Sequence, residues 1–222
     1  MTRILVIAPH PDDETLGCGG TLLRYRIEGA EIHWLIVTEM PAGNVYSPAR
    51  REARDREIGL VADAYGFASV DRLGFPAAGL EAASLDRLVG AISTVVKRIE
   101  PEILFAPFAG DAHSDHRATF AAVAASSKWF RNPSVRRILA YEVLSETDSA
   151  IDPTTTGFRP NVFVNVGATI DAKLRIARLY AGEMGEFPFP RSEPAIRALA
   201  SVRGAAAGVE AAEAFMLLKE IV

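Results

Sequence analysis

Three of the four histidines in this 222-residue chain fall in two short polar clusters that mix imidazole with carboxylate. The first is Pro9-His10-Pro11-Asp12-Asp13-Glu14, and the second is Asp111-Ala112-His113-Ser114-Asp115-His116. Two neutral imidazoles and one carboxylate around an open position make a catalytic zinc site, because the remaining positive charge acidifies water and polarises a carbonyl. Pro11 biases His10 toward an extended conformation and stiffens the turn, so the imidazole and a carboxylate a few residues on can converge. Asp12 and Asp13 are adjacent and point in different directions, so one can bind metal while the other faces the attacking water. His113 and His116 share a face if they are helical, without both having to be ligands.

Each cluster alone has a plainer explanation. Acids at a helix start are ordinary caps and dipole partners, and a His-x-x-His pair is common on protein surfaces. What sets these two apart is their shared position. The first directly follows the apolar run Ile4-Leu5-Val6-Ile7-Ala8, and the second comes a few residues after Ile103-Leu104-Phe105-Ala106. Both runs have the length and continuity of strands buried on two faces.

The elements that must position the clusters alternate in type. Strands are expected at 4–8, 32–37, 70–75, 103–106, 138–141 and 162–164. Helices are expected at 15–28, 48–65, 85–100, 116–128, 172–183 and 195–202, the second ended by Gly66 and the third stopped before Pro101. Such alternation implies βαβ units in a single α/β domain of Rossmann-like type, with a mainly parallel sheet covered by helices on both faces. In such sheets ligands bind beyond the carboxyl ends of the strands, where both clusters fall. No linker divides the chain; the irregular stretch 145–161 reads as a flap over a site.

Composition narrows the function classes. Lys and Arg total 24 against 28 Asp and Glu, a net charge of −4, which gives no reason to expect nucleic acid or an anionic membrane as a partner. With 49% apolar and 23% charged residues the chain is an ordinary folded protein rather than a disordered one. The single cysteine, Cys18, excludes an intramolecular disulfide and any multi-thiolate site. The apolar run near the N-terminus is too short for a signal peptide or a membrane span, so a cytoplasmic protein is expected. A homo-oligomer stays open.

At this point the two clusters resemble the motifs of a known family. An apolar strand, then Pro9-His10-Pro11-Asp12-Asp13-Glu14, then a Gly-rich helix start at Gly17 to Gly20 is similar to the first motif of the LmbE/PIG-L family of metal-dependent N-deacetylases. His113-Ser114-Asp115-His116 resembles its second motif, His-x-Asp-His, with Ser114 where Pro is frequent. Arg54-x-x-Glu57 resembles a weaker family feature, and Arg203-Gly204, Gly208 and Ala212-Glu213-Ala214-Phe215 are similar to the tail of members that deacetylate N-acetylglucosaminyl conjugates. The resemblance spans roughly residues 3 to 220.

The resemblance implies His10, Asp13 and His116 as ligands of Zn2+, with Fe2+ or another divalent ion as alternatives. It implies Asp12 as the base that deprotonates the attacking water. It gives His113 the oxyanion or the leaving amine, with Asp115 holding His113 in the needed tautomer. The implied substrate is a small-molecule N-acetylated amino-sugar conjugate of N-acetylglucosamine type. Arg54 either reaches an anionic group of that substrate or pairs with Glu57 or Asp55 on its own helix. Glu14 either orients a ligand or charges a helix start. Cys18 and His33 read as packed residues. Trp129-Phe130-Arg131 read as core in preference to a sugar platform, and Pro188-Phe189-Pro190-Arg191 as a pocket border or an oligomer contact.

Two rival readings remain. Two His and one carboxylate also suit an Fe(II) oxygenase, though those enzymes favour β-barrels. Gly17, Gly19 and Gly20 after a strand suggest a nucleotide-binding module, but the spacing is not G-x-G-x-x-G and acids at the helix start would repel a pyrophosphate.

Overall fold

The computed structural model of the chain describes residues 1–43, 45–151 and 157–222. Its strands are β1 (Arg3–Ala8), β2 (Glu31–Glu39), β3 (Ser69–Pro76), β4 (Ile103–Pro107), β5 (Arg137–Tyr141), β6 (Val162–Asn165) and β7 (Ala212–Glu220). Its helices are α1 (Asp13–Ile27), α2 (Pro48–Tyr65), α3 (Leu85–Ile99), α4 (Ser114–Ser126), α5 (Ile170–Ala177) and α6 (Glu193–Ala207). The strands form one seven-stranded sheet in the order β3-β2-β1-β4-β5-β7-β6. The first five strands in that order are parallel. β7 lies antiparallel between β5 and β6.

The apolar run in β1 is continuous because both of its faces are covered. Ile4, Val6 and Ala8 pack with Cys18 and Leu22 of α1, Val61 and Tyr65 of α2, and Leu174 of α5. Leu5 and Ile7 face the opposite way, against Ile92 and Val96 of α3 and Ala122 and Val123 of α4. This is the two-sided burial that central parallel strands require. α2 has the expected bounds for local reasons: the Ser47 side chain accepts from the Arg50 amide, a proline sits in the first turn, and Gly66 ends the helix at φ 62°.

Three elements depart from the sequence-based expectation. The expected helix at 172–183 is only Ile170–Ala177. Beyond it the chain turns, with the Glu183 amide bonded to the Tyr180 carbonyl, and Tyr180 and Glu183 are drawn toward the first cluster. α6 is longer than expected at both ends, starting from a Ser192 cap and running to Ala207. The strand β7 was not expected at all. Its sequence, AEAFMLLKE, consists largely of strong helix formers, and it becomes a strand because β5 and β6 offer hydrogen-bonding partners on both of its edges.

The order of the chain reverses between β1 and β4, which are neighbours in the sheet. This is the topological switch point where open parallel sheets leave a crevice. One polar cluster leaves the end of β1 and the other follows β4.

α1 reaches this crevice by lying very close to the sheet. A Cβ on Gly17 would stand 2.3 Å from Cδ2 of Tyr141, a buried ring whose hydroxyl donates to the Ile7 carbonyl at 2.8 Å. Further along the helix, the buried Lys173 ammonium donates to Glu213 at 2.6 Å and to the Leu16 carbonyl at 2.8 Å. Glu213 in turn accepts from the Gly20 and Thr21 amides. Gly17→Ala is expected to cost about 1–3 kcal/mol of stability through overpacking, read as a lowered urea midpoint with an unchanged slope; an unaltered midpoint would show that α1 can move off the sheet freely.

Candidate active site

The first cluster is a tight turn between β1 and α1. Pro9 is tied to β2 through its carbonyl, which accepts from both the amide and the hydroxyl of Thr38. Asp12 stands at the N-cap position of α1 with φ at 140°, a region that costs a non-glycine residue about 1–3 kcal/mol. Its side chain makes no capping bond. The carboxylate instead accepts from Nη1 of Arg191 at 2.9 Å, which rules out a cap as the reason for an acid here. Asp13 closes the turn: its Oδ2 accepts from the main-chain amide of His10 at 2.9 Å.

The same Asp13 oxygen lies 3.4 Å from Nδ1 of His10 and 3.2 Å from Nε2 of His116. Ligand atoms bound tetrahedrally at zinc distances are separated by about 3.3–3.4 Å; the two separations from Asp13 suit such a cation, and the ligand atoms of all three residues lie within 4.8 Å of one another. The outward-facing ring nitrogens are also engaged. Nε2 of His10 bonds to Asp115 at 2.9 Å, and Nδ1 of His116 bonds to Asp111 at 2.8 Å. Carboxylates behind imidazoles in this way orient the rings of metal-binding histidines and raise their basicity. His10, His113 and Asp115 also lie close enough together to hold an ion. Asp115 is committed elsewhere, however, accepting from the Ala78 and Leu80 amides as well as from His10.

The placement of Asp115 corrects one expectation. Its carboxylate makes no hydrogen bond to His113; its main-chain amide does, donating to Nδ1 of His113 at 3.1 Å. His113 is thus the N-cap of α4. With Nδ1 accepting, the neutral ring carries its proton on Nε2, and the side chain lines the cleft. The backbone sets the tautomer, and the carboxylate serves His10.

Charge is dense here and almost wholly buried. Burial pulls His10 down, but Asp115 and Asp13 outweigh it and hold the ring at about 9. Burial likewise opposes His116, which Asp13 and Asp111 hold at about 10. Against the cost of burial, the two imidazoles keep Asp13 well below the usual carboxylate range. Burial and the neighbouring Asp13 push Asp12 well above that range, with Arg191 pulling it back. Glu14 is fully buried and raised by burial to about 7, while accepting from Thr15, from Tyr180 and from the Asp12 amide. Burial, with the neighbouring His10 and His116, pushes His113 down. Carboxylates that share protons with two imidazoles release them when a cation takes the protons' place.

The cleft encloses about 360 Å³ and is lined by both clusters together with residues of α2, the segment after β2, and the turn before α6. Arg54 lines it, but its guanidinium is already occupied by the Pro11 carbonyl, Glu57 and Glu183. Two participants, Glu183 and Asp111, were not assigned a role from the sequence, and Arg191, expected only as a pocket border or an oligomer contact, lines the cleft. Arg191 reaches Asp12, Glu183, Glu146 and the Ser145 hydroxyl. Glu183 joins Arg191 to Arg54 and Arg50, and Asp111 backs His116. Asp111 carried a local signal, lying five residues before His116 in the same cluster. The contact of Arg191 with Asp12 carried none, the two residues being 179 positions apart.

The other candidates are placed plainly. Cys18 is buried, its thiol on the Glu14 carbonyl, and His33 is buried against Ser69. Trp129 and Phe130 are exposed and meet edge to face at 5.9 Å, in neither the core nor the cleft. Of the stretch expected to form a flap, Glu146 lines the cleft, while 152–156 lie outside the described residues.

An imidazole–carboxylate cluster able to hold a divalent ion, at the switch point of a mainly parallel sheet, defines an α/β protein with a candidate hydrolytic metal centre. Residues 5–127 match the family model described as PIG-L, GlcNAc-PI de-N-acetylase, and the chain belongs to that family. A diacetylchitobiose deacetylase of Thermococcus kodakarensis is 26% identical over 95% of this chain and 81% of its own length. A 1D-myo-inositol 2-acetamido-2-deoxy-alpha-D-glucopyranoside deacetylase of Rhodococcus erythropolis is 31% identical over 51% of this chain and 49% of its own. Among solved structures, the conserved protein TT1542 of Thermus thermophilus superimposes with a TM-score of 0.79 at 28% identity, covering 100% of this chain and 97% of that one.

Arg191→Met leaves Asp12, Glu146 and Glu183 as half-buried or buried carboxylates without their shared cation. The loss of stability is expected to be about 1–3 kcal/mol at pH 8. It should shrink toward pH 5, because Asp12 and Glu146, whose folded pKa burial raises, cost stability only above their unfolded pKa and are relieved on protonation. Urea titrations of the metal-free protein at the two pH values check this, and a pH-independent loss would assign Arg191 a packing role only.

Proposed function

We propose that this chain is a divalent-metal-dependent N-deacetylase acting on a small-molecule N-acetylated amino-sugar conjugate of N-acetylglucosamine type and releasing acetate and the free amine. The observation that carries the reading is the single Asp13 oxygen set between two imidazoles, each backed by its own carboxylate, with the uncapped carboxylate of Asp12 beside it. The deacetylase relatives support the chemistry and the substrate class. His10, Asp13 and His116 are the proposed ligands. Zinc is the favoured ion, and Fe2+ the alternative. When bound, such an ion supplies Lewis acidity, polarising the acetamide carbonyl and lowering the pKa of water.

The remaining work falls to the chain's own residues. Asp12 takes a proton from water as its oxygen adds to the acetamide carbon, and Arg191 holds one Asp12 oxygen in place during that step. His113, neutral with Nδ1 occupied by the Asp115 amide, donates an Nε2–H hydrogen bond to the developing oxyanion, and the proton taken up by Asp12 passes to the amine nitrogen as the C–N bond breaks. Asp115 and Asp111 keep the His10 and His116 rings from turning. Arg54 braces the Pro11 carbonyl and so holds the turn that carries His10 and Asp12. The parallel sheet weighs against the oxygenase alternative, and the buried acids at the start of α1 weigh against pyrophosphate binding. No helix among the described residues is long and apolar enough to cross a membrane, and a cytoplasmic enzyme meeting a diffusible substrate fits this.

Stripping with a strong chelator should abolish release of primary amine from acetamido sugars, and zinc or iron should restore it. Asp13→Asn and His116→Ala should purify with little metal, by elemental analysis. Asp12→Asn is isosteric and should retain metal while losing about 10²–10⁴-fold in kcat. Metal retained in Asp13→Asn but lost in Asp12→Asn would reverse the two assignments, and full turnover by verified metal-free protein would end the proposal.

A further inference from the structure

Glu14 is the one carboxylate of the first cluster to which the proposed reaction gives no part. It is wholly buried and does not line the cleft. Among the described residues it accepts only from neutral donors. Its Oε1 takes the Thr15 hydroxyl at 2.6 Å and the Tyr180 hydroxyl at 2.7 Å, and the Tyr65 hydroxyl donates to Thr15 at 3.1 Å. Side chains from α1, α2 and the turn after α5 thus anchor one oxygen. The other, Oε2, is left for a single main-chain group, the amide of Asp12 at 3.1 Å. Burying a carboxylate is costly, and this one is spent on the backbone of its neighbour.

An acid in the first turn of a helix that reaches back to the N-cap amide is half of a capping box. Here the reciprocal half is missing, because the Asp12 side chain makes no capping bond and turns to Arg191 instead. The back-bond therefore serves Asp12 more than the helix. The Asp12 amide belongs to the same peptide group as the Pro11 carbonyl, which accepts from Nη1 of Arg54 at 2.7 Å. A peptide group is planar, so Arg54 at its oxygen and Glu14 at its N–H fix the whole plane. The plane on the other side of Asp12 is fixed as well, its carbonyl accepting from the Thr15 and Leu16 amides at 3.0 and 2.8 Å. With both planes set, the φ of 140° follows, and with it the direction of the Asp12 Cβ.

We propose that Glu14 is a positioning residue for the catalytic base. Together with Arg54 it clamps the Pro11–Asp12 peptide, and the clamp holds Asp12 in the strained conformation that aims its carboxylate at Arg191 and the cleft. This deepens the deacetylase reading and rests on it, since Asp12 is the base only in that reading. Without an acceptor at position 14 the peptide plane turns and the φ of Asp12 relaxes to negative values. The carboxylate then falls back onto the α1 amides as an ordinary cap, where it no longer meets the attacking water.

The test uses metal-loaded protein with the methyl glycoside of N-acetylglucosamine as substrate. Glu14→Met keeps the length of the side chain but offers the amide no acceptor. It should lose about 10–100-fold in kcat, the scale of a misplaced catalytic group, with KM and metal content little changed. Glu14→Gln should stay within a few-fold of the wild type, because its oxygen can hold the Asp12 amide while its NH2 turns to hydroxyls that accept as well as donate. In an Asp12→Asn background Glu14→Met should cost nothing further, since a residue acting only through the base has nothing left to position. If Glu14→Met does not fold, Glu14→Asp replaces it, one methylene too short to reach the amide while the hydroxyls hold its other oxygen. Unchanged kcat, an equal loss in Glu14→Gln, or a loss that persists beside Asp12→Asn overturns the proposal. A crystal structure of the same variant reads the clamp without turnover: Asp12 should have negative φ and its carboxylate on the α1 amides. If that shift appears while the wild type hydrolyses no acetamide, the deacetylase reading fails and the clamp stands. If Asp12 keeps its φ and the variant turns over like the wild type, the clamp fails and deacetylation stands.

Discussion

One oxygen atom organises this site. Oδ2 of Asp13 accepts from the amide of His10 and lies within 3.4 Å of ring nitrogens from both His10 and His116. It therefore fixes the conformation of the turn after β1 and joins that turn to the helix that follows β4. A carboxylate buried in this way is costly unless opposed by positive charge, and here the opposing charge is the pair of imidazoles. The imidazoles depend in turn on Asp115 and Asp111, which depend on the Ala78 and Leu80 amides and on the Thr147 hydroxyl. Removal of any layer leaves the next one with an unpaired buried charge.

The sheet makes this convergence possible. β1 and β4 are adjacent and parallel, so the chain leaves both at the same edge, and two segments about a hundred residues apart in sequence meet with little adjustable geometry between them. α1 must then lie flat against the sheet to hold the first turn. The missing side chain of Gly17 lets it do so under Tyr141, and the Lys173–Glu213 pair fastens its middle from a distant helix and strand. The strain at Asp12 belongs to the same arrangement. A φ of 140° turns its carboxylate off the helix end and toward Arg191, where an ordinary cap would have turned it inward to the α1 amides.

Acidic and basic side chains around the cleft are matched through shared partners. Glu183 serves Arg50, Arg54 and Arg191 at once, bridging α2 to the turn before α6. Such a network holds its members in fixed rotamers, as a catalytic base requires.

Reading the chain as a string was enough to find the two clusters, the strands that precede them and the bounds of α2. Each of these is written in short-range terms: an apolar run of strand length, a proline beside a histidine, a serine cap with a closing glycine. The mainly parallel sheet followed from the alternation of such runs with helical ones. β7 was not legible, because AEAFMLLKE favours a helix locally and becomes a strand only between β5 and β6. The true end of α5 was also hidden, since Tyr180 and Glu183 leave the helix for partners far away in sequence. Within the site, residue types and spacing brought His10, Asp12, Asp13, His113, Asp115 and His116 together as candidates. Only the folded chain decided that Asp115 serves His10, that a main-chain amide sets the tautomer of His113, and that Arg191 meets Asp12. Those choices depend on distances between segments that no local pattern encodes, and on which charges burial leaves without a partner.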